Sequence, residues 1–480
     1  MRIDRTKFHE EASKYLGERL SQWQSTHQQA PHALGLYYHQ QLVARYSELI
    51  PEGCSILEIG CGKGALLNSL KPTRGVGVDF CAAAIEHARE SFPHLEFIQC
   101  EASNLELPGQ TFDYIILSDL IGDLWDVQAV FENLHNLCSP RTRLIFNFFS
   151  HLWTLPISVA RKMRLAKKML SQNWMTTKDL ENLLALSGFQ SLRSWREIAL
   201  PVNIPFIAKL TNKYLVRLFP FNHLSLTNFL IARPRIPAEE SSPTVSVVIA
   251  ARNESGHIRE IIHRIPDMGS STEIIFVEGN SQDDTYQVIA QAITEYPKKT
   301  IRLLKQPGKG KGDAVRCGFS SATGDVLMIL DADITVPPED LTRFLEPLKS
   351  GTAEFINGVR LVYPMDKKAM RFLNMAGNKL FSWAFSWLLG QPIRDTLCGT
   401  KVLWREDYER IAKNRSYFGN FDPFGDFDLL FGAAKLDLQI IEVPVRYRAR
   451  RYGETNISRW RHGWLLLKMV VFAANKIKFR

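Results

Sequence analysis

At 480 residues the chain exceeds what one hydrophobic core ordinarily organises, so two or three domains are expected. Its 45% hydrophobic and 23% charged residues, with no low-complexity tract, exclude a disordered or fibrous protein. The net charge of +9 suits an anionic partner: nucleic acid, anionic lipid or a phosphorylated substrate.

The start, Met1–Lys7, is polar and lacks the apolar stretch of a signal peptide. Residues 1–50 are expected to form a helical extension. No run of about 18 uninterrupted apolar residues occurs, so no spanning helix is predicted. Phe372–Gly390 and Trp460–Ala474 come nearest, interrupted by Asn374, Asn378, Lys379 and Lys468. The seven cysteines form an odd set without CxxC pairs, which argues against a disulfide framework or structural zinc and fits a reducing compartment.

Ser55–Ile59 reads as a strand, followed by Gly60-Cys61-Gly62-Lys63-Gly64 and a helix opening at Ala65. Glycines there permit a tight turn and close approach of backbone to a ligand. Val76–Asp79 is the next strand and ends in an acid at the spacing of a ribose-binding carboxylate. Phe112–Leu117 and Arg143–Asn147 supply later strands. Such a turn suits a dehydrogenase, a methyltransferase or a plain loop. The glycine spacing is not the one that admits a pyrophosphate, and Glu58 discourages phosphate while suiting a ligand that carries a sulfonium and an amino acid.

Residues 51–233 thereby resemble class I S-adenosylmethionine-dependent methyltransferases with a Rossmann-like fold. The resemblance implies that Glu58, Gly60 and Gly62 line the methionine end of S-adenosylmethionine and that Asp79 holds the ribose hydroxyls. It further implies that Phe80, Ala102 and Ser103 edge the adenine, with Ser118 and Asp119 closing the site. Gly188–Leu200 and Leu224–Ala232 fit the antiparallel hairpin at one edge of such domains. Between them and the earlier strands lies Trp153–Met175, a basic amphipathic stretch that either covers the acceptor site or is a solvated helix. Methyl transfer demands alignment more than catalytic side chains, so the acceptor is not readable from the sequence.

Arg233–Pro243 carries three prolines among charged and small residues and reads as an exposed linker, placed at 234–243. Beyond it a second alternation of strands and helices begins, so both halves read as α/β domains. Val245–Ile249 ends in Arg252-Asn253-Glu254. Glu273–Val277 ends in Glu278-Gly279-Asn280-Ser281-Gln282-Asp283. Arg302–Lys305 precedes Gly308-Lys309-Gly310-Lys311-Gly312, whose amides and lysine suit phosphate. Val326–Leu330 then runs into Asp331-Ala332-Asp333. A continuous apolar run is a fully buried strand, and two carboxylates at its end need a counter-charge. Hard oxygen ligands suit Mg²⁺ or Mn²⁺ with positions left for phosphate oxygens; alone, the pair equally suits a loop that caps the following helix.

This ordered series, residues 244–456, resembles family 2 glycosyltransferases of the GT-A fold, in particular the dolichyl-phosphate mannosyltransferase and polyprenyl-phosphate glycosyltransferase group. The resemblance implies a nucleotide-sugar site made of Arg252, Asn253, Glu254, Glu278, Asn280, Asp283, Lys311 and Asp331, with Asp331 and Asp333 on the metal. It places the phosphate or acceptor on Arg360, Arg371 and Arg450, and catalytic carboxylates at Asp395 and Asp428. Glu278 and Asn280 depart from the usual aspartate and glycine, Thr335 stands where some relatives have a third metal ligand, and Thr455-Asn456 replaces the Ser-Lys of the closing loop.

A hydroxyl acceptor needs a base, whereas a phosphate monoester, largely dianionic at neutral pH, needs cations to hold it. With a phosphate acceptor Asp395 orients rather than deprotonates; Asp428 is either a base or a helix N-terminal acid. Residues 457–480 form a basic helix that either lies in a bilayer interface or packs on its domain.

The expectation is therefore a metal-dependent inverting glycosyltransferase fused to a methyltransferase. It uses a UDP- or GDP-sugar and a polyprenyl phosphate or glycan acceptor, in the cytoplasm or peripheral on the inner membrane face, without nucleic acid. The alternatives are a hydroxyl acceptor with a non-catalytic N-terminal binding module, and a nucleic-acid methylase with a degenerate second domain.

Overall fold

The computed structural model describes residues 5–27, 33–163, 170, 172–236, 242–360, 362–363, 372–415, 427–448 and 459–479. The chain divides into two units, Met1–Ile236 and Pro237–Arg480.

Unit 1 is a seven-stranded sheet. Its strands are β1 (Ser55–Ile59), β2 (Arg74–Asp79), β3 (Glu96–Gln99), β4 (Phe112–Ser118), β5 (Cys138–Phe149), β6 (Phe189–Glu197) and β7 (Thr227–Pro234), in spatial order 3-2-1-4-5-7-6. Strands β1 to β5 pair in parallel, and β7 runs antiparallel to both β5 and β6. The predicted edge hairpin is thus present. The order reverses between β1 and β4, and ligands bind beyond strand carboxyl ends at such a switch point. The helices are α1 (Arg5–His27), α2 (Ala33–Leu49), α3 (Ala65–Ser69), α4 (Ala82–Ser91), α5 (Val127–His135), α6 (Thr154–Lys162), α7 (Thr177–Leu186) and α8 (Ile207–Lys213).

Two expectations shift here. The N-terminal helices are not an appendage: Tyr38, Leu42 and Tyr46 of α2, with Ile50, are buried in the same core as Ile56, Ile116 and Ile231. An i, i+4, i+8 apolar stripe drives that burial. The seam also starts later, because β7 continues through Arg233 and Pro234 and Ile236 packs against the core. An edge pairing with Phe189 and Gln190 outweighs the breaker signal of the proline.

Unit 2 is a second seven-stranded sheet: β8 (Val245–Ala251), β9 (Thr272–Glu278), β10 (Thr300–Lys305), β11 (Val326–Ile329), β12 (Phe355–Val359), β13 (Lys401–Trp404) and β14 (Ile440–Pro444), in order 10-9-8-11-13-12-14. Strands β10, β9, β8 and β11 are mutually parallel, so their carboxyl ends open on one edge. All four residues of β11 are buried, as an uninterrupted apolar run requires. Its helices are α9 (Ile258–Arg264), α10 (Thr285–Glu295), α11 (Lys311–Ser321), α12 (Leu341–Lys349), α13 (Phe372–Leu389), α14 (Arg405–Lys413), α15 (Phe427–Lys435) and α16 (Arg459–Ala473).

The last helix has a packed face and an exposed apolar face, the latter with Trp464, Leu467 and Val471. Leu466, Met469 and Ala473 of α16 are buried in a core shared with Phe385 and Leu388 of α13, so α16 packs on its domain. No helix among the described residues is long and apolar enough to cross a membrane. All seven cysteines are free.

Candidate functional site

In unit 1 the turn after β1 is built from glycines in left-handed backbone. Gly60 has φ 73°, and a Cβ there would stand 2.8 Å from Leu120. Gly64 has φ 75° and lies against the ring of Phe97, so neither position accepts a side chain. The Gly62 amide donates to Asp79 Oδ2 at 2.9 Å and the Cys81 amide to Oδ1 at 2.9 Å, which fixes the carboxylate at the end of β2. Glu58 is buried, accepts from the Leu67 amide at 3.1 Å, and is pushed up to about 8 by burial.

Around these residues lies a cavity of about 560 Å³, whose lining brings together Glu58, Gly60, Gly62, Asp79, Phe80, Ala102, Ser118 and Asp119. That volume is in the range of small-molecule sites. Ser103 is not on the wall. Its hydroxyl donates to Glu101, which takes its place there, because the short helical turn at Ala102–Asn104 points Ser103 back toward the carboxylate.

The cavity also has a side that sequence reasoning missed. Arg19 and Trp23 of α1 and Leu36 and His39 of α2 line it. Behind Asp119, Tyr38 donates its hydroxyl to Oδ1 at 2.9 Å and Asn147 donates at 2.6 Å, while Tyr46 donates to Asn147 at 2.7 Å. Burial pushes Asp119 up to about 7 against these bonds. No motif marks α1 or α2; only amphipathic spacing, with tyrosines on the inward stripe of α2, hints that they close a pocket.

In unit 2 the predicted strand-end clusters converge. The loop after β8 is tied to the loop after β9: the Asn253 amide donates to Ser281 Oγ at 3.1 Å, and Asn253 Oδ1 accepts from the Gln282 amide at 2.8 Å. Asn253 and Asn280 both have φ 57°, a region asparagine tolerates better than other side chains. Asp283 accepts from the Thr285 amide at 3.1 Å and is also bonded to the Thr285 hydroxyl. Burial raises its pKa, but these bonds hold the carboxyl below its usual range. Arg252 is exposed at the rim.

The two acids expected at the nucleoside are held by donors of the protein. Glu254 is buried with Oε2 3.0 Å from His257 Nδ1, and Glu278 is buried and accepts from the Ser281 amide. Both bond to the protein because a buried carboxylate requires a donor.

Asp331 sits one residue past Leu330, and its Oδ1 is 2.6 Å from Lys311 Nζ at the start of α11. Burial raises its pKa, but Lys311, then Lys401 and Arg360, outweigh that and hold the carboxyl below its ordinary value. Gly399 backs the pair so closely that a Cβ there would fall on Asp331 Oδ2 and Lys311 Nζ. Asp333 Oδ1 accepts from the Thr335 hydroxyl at 2.7 Å and amide at 3.2 Å, so Thr335 orients Asp333.

Among the described residues no group of three or more His, Cys, Asp or Glu side chains could by itself hold a metal. Two carboxylates at a phosphate-accessible strand end nonetheless suit Mg²⁺, which binds through one or two carboxylates plus substrate phosphates and water.

Both candidate catalytic carboxylates are paired with arginines. Asp395 has no exposed surface and is paired with Arg360: Nε to Oδ2 2.7 Å, Nη2 to Oδ1 2.8 Å. The amides of Arg360 and Leu397 (3.1 Å each) and Asn378 Nδ2 (3.3 Å) also donate to it. Burial raises its pKa, but the guanidinium holds it below the usual carboxylate range. A carboxylate bound on both oxygens and shut from solvent is a poor proton acceptor. Asp428, buried in the first turn of α15, lies 3.3 Å from Arg415 Nε and 3.9 Å from Arg316 Nη1. Arg360 reaches from the end of β12 with its guanidinium 5.1 Å from the ring centre of Tyr447. Arg371, Arg450 and the closing loop lie outside the described residues.

Comparison with known proteins agrees with both halves. Residues 246–414 match the family description "Glycosyl transferase family 2". Residues 27–194 match "Methyltransferase domain". Dolichol-phosphate mannosyltransferase of Pyrococcus furiosus is 37% identical over 232 residues, covering 45% of this chain and 59% of that protein. Dolichyl-phosphate hexose transferase of Haloferax volcanii is 29% identical over 232 residues, covering 47% of this chain and 92% of that protein. An undecaprenyl-phosphate 4-deoxy-4-formamido-L-arabinose transferase of Klebsiella pneumoniae is 24% identical, covering 45% and 62%. The chain thus spans less than two thirds of the length of the first and last of these relatives. It joins a methyltransferase domain to a glycosyl transferase family 2 domain.

Proposed function

We propose that unit 2 transfers a sugar from a nucleoside diphosphate sugar to a polyprenyl phosphate with inversion, and that unit 1 binds S-adenosylmethionine and donates its methyl group. The observation that carries the first part is the commitment of Asp395 to Arg360. With Asp395 and Asp428 both paired to arginines, a hydroxyl acceptor lacks its expected base, whereas a phosphate dianion needs none. The names of the three relatives point to lipid-phosphate acceptors of the same chemistry.

On this reading an acceptor phosphate oxygen forms the bond to the anomeric carbon as the bond to the diphosphate breaks on the opposite face. Lys311 stands beside Asp331, where negative charge accumulates on the departing diphosphate. Arg360, held rigid by Asp395, offers its remaining guanidinium edge to a phosphate. Asp331 and Asp333 would hold Mg²⁺ or Mn²⁺, which when bound neutralises the diphosphate. A lipid-phosphate acceptor places the protein at a membrane surface.

In unit 1 Asp79, oriented by two amides, suits ribose hydroxyls, and Glu58 suits the cationic methionine end. The test is transfer of labelled sugar, with Mg²⁺, to a short-chain polyprenyl phosphate and to the corresponding alcohol. Transfer is expected to the phosphate alone, and is lost in EDTA and in Asp333→Ala. Turnover that persists in EDTA, or preference for the alcohol, overturns the reading.

A further inference from the structure

Unit 1 carries an apolar surface that its own fold leaves in solvent. The segment between β6 and β7 folds as α8 and two short turns, and its polarity is inside out. Asn212 is buried, donating to Leu200 O at 2.8 Å and accepting from the Leu200 amide at 2.9 Å. Phe206 (90% exposed), Ile207, Leu210 and Phe219 (80%) face outward. A helix facing water alone has the opposite arrangement. Phe206 also has φ 61°, a left-handed conformation costly for an aromatic residue, and it projects the ring outward.

The α6 segment adds to this face. Trp153 and Ile157 turn inward, while Leu155 (77% exposed) and Val159 turn out on the helical repeat. The two segments touch: Trp153 Nε1 donates to Leu224 O at 3.0 Å and the Ser150 amide to Leu226 O at 2.7 Å.

The charge of the two segments is one-signed. No aspartate or glutamate occurs between Glu132 and Asp179, or between Glu197 and Glu239. Within those stretches Lys162 and Lys209 are exposed beside the apolar residues, and Lys213 lies on the same helix as Leu210. Exposed aliphatic and phenylalanine side chains, with lysines on the same two segments and no carboxylate within them, complement a bilayer interface with anionic headgroups.

We infer that this face of the methyltransferase unit, formed by α6 and the β6–β7 segment, docks on anionic membranes. The inference stands apart from the glycosyl-transfer reading, because none of these residues belongs to the sugar site.

The test is flotation of the full chain with vesicles of phosphatidylcholine alone and with 30% phosphatidylglycerol. Binding is expected only with the anionic lipid. It should fall at least about tenfold in the double variant Phe206→Asp/Leu210→Asp, and about fivefold in Lys209→Glu. S-adenosylmethionine binding and sugar transfer to a soluble short-chain phosphate should stay intact, which separates this result from failure of the proposed function. Three outcomes overturn the inference: no vesicle binding by the full chain; binding that survives the double variant and is lost on Trp464→Ser in unit 2; or retention of an RNA oligonucleotide in place of vesicles.

Discussion

Asp395 gives both oxygens to Arg360 inside the protein, so removing its charge acts on stability as well as on transfer. Asp395→Asn leaves a guanidinium that is 12% exposed without its counterion. Breaking such a buried pair costs about 3–5 kcal/mol, and the unfolding midpoint of unit 2 should fall accordingly together with sugar transfer. A variant that loses turnover while keeping full stability would restore Asp395 as a base.

In unit 1 burial pushes Glu58 up to about 8 and Asp119 up to about 7. Both folded values lie above the ordinary carboxylate range, so these groups contribute stability while protonated. That contribution is lost as pH rises through about 7 to 8. The cofactor-free protein should therefore melt lower at pH 8.5 than at pH 6 in its unit 1 transition. A cationic ligand beside Glu58 favours the ionised form, so binding releases a proton. Affinity for S-adenosylmethionine should rise by up to about tenfold per pH unit below 8 and level off above it. Calorimetry across this range, with Glu58→Gln flattening the profile, checks the assignment; a flat wild-type profile removes Glu58 from the cofactor site.

The C-terminal helix has a packed side and an exposed side, and burial predicts which substitutions cost stability. Met469 is in the core of unit 2 while Trp464, on the same helix, is 60% exposed. Met469→Ala should lower stability by roughly 2–5 kcal/mol, whereas Trp464→Ser should stay within about 0.5 kcal/mol. Equal effects in denaturant melts would mean that α16 is not packed on α13. Deleting the helix would strip core contacts as well, so loss of membrane recovery on truncation does not isolate a lipid effect.

The same contrast explains what was legible in the sequence. Strands β9 and β11 hold continuous buried apolar runs, Ile274–Val277 and Val326–Ile329, and β1 and β8 are broken only by Glu58 and Ser246, so these strands announce themselves and the polar residues at their ends mark the site. The partners of the buried carboxylates were not legible. Asp395 meets Arg360 from 35 residues away, and Tyr38 reaches Asp119 across 81. Spacing along the chain carries no record of which donor satisfies a buried acid. The N-terminal helices were missed as pocket walls for the same reason: their role depends on tertiary closure over β1 and β4.

Each hydrophobic core is built from one unit alone. Ile56, Phe229 and Leu144 belong to cores confined to residues before 237, and Val247, Phe355 and Phe431 to cores confined to residues after it. Both units fall in the size range of independently folding domains. Cutting the chain within 237–241 should therefore leave two folded pieces, residues 1–236 and 242–480. Ligands provide the discriminating measurement. A ligand stabilises only the unit that binds it, by about 2.7 kcal/mol at a hundred times its Kd. In the intact chain S-adenosylmethionine should raise one thermal transition, and a nucleoside diphosphate with Mg²⁺ should raise the other. The separated pieces should keep these responses one apiece. If either piece fails to melt cooperatively, or if one ligand shifts both transitions equally in the intact chain, the units are energetically one body and the two proposed activities cannot be treated as independent.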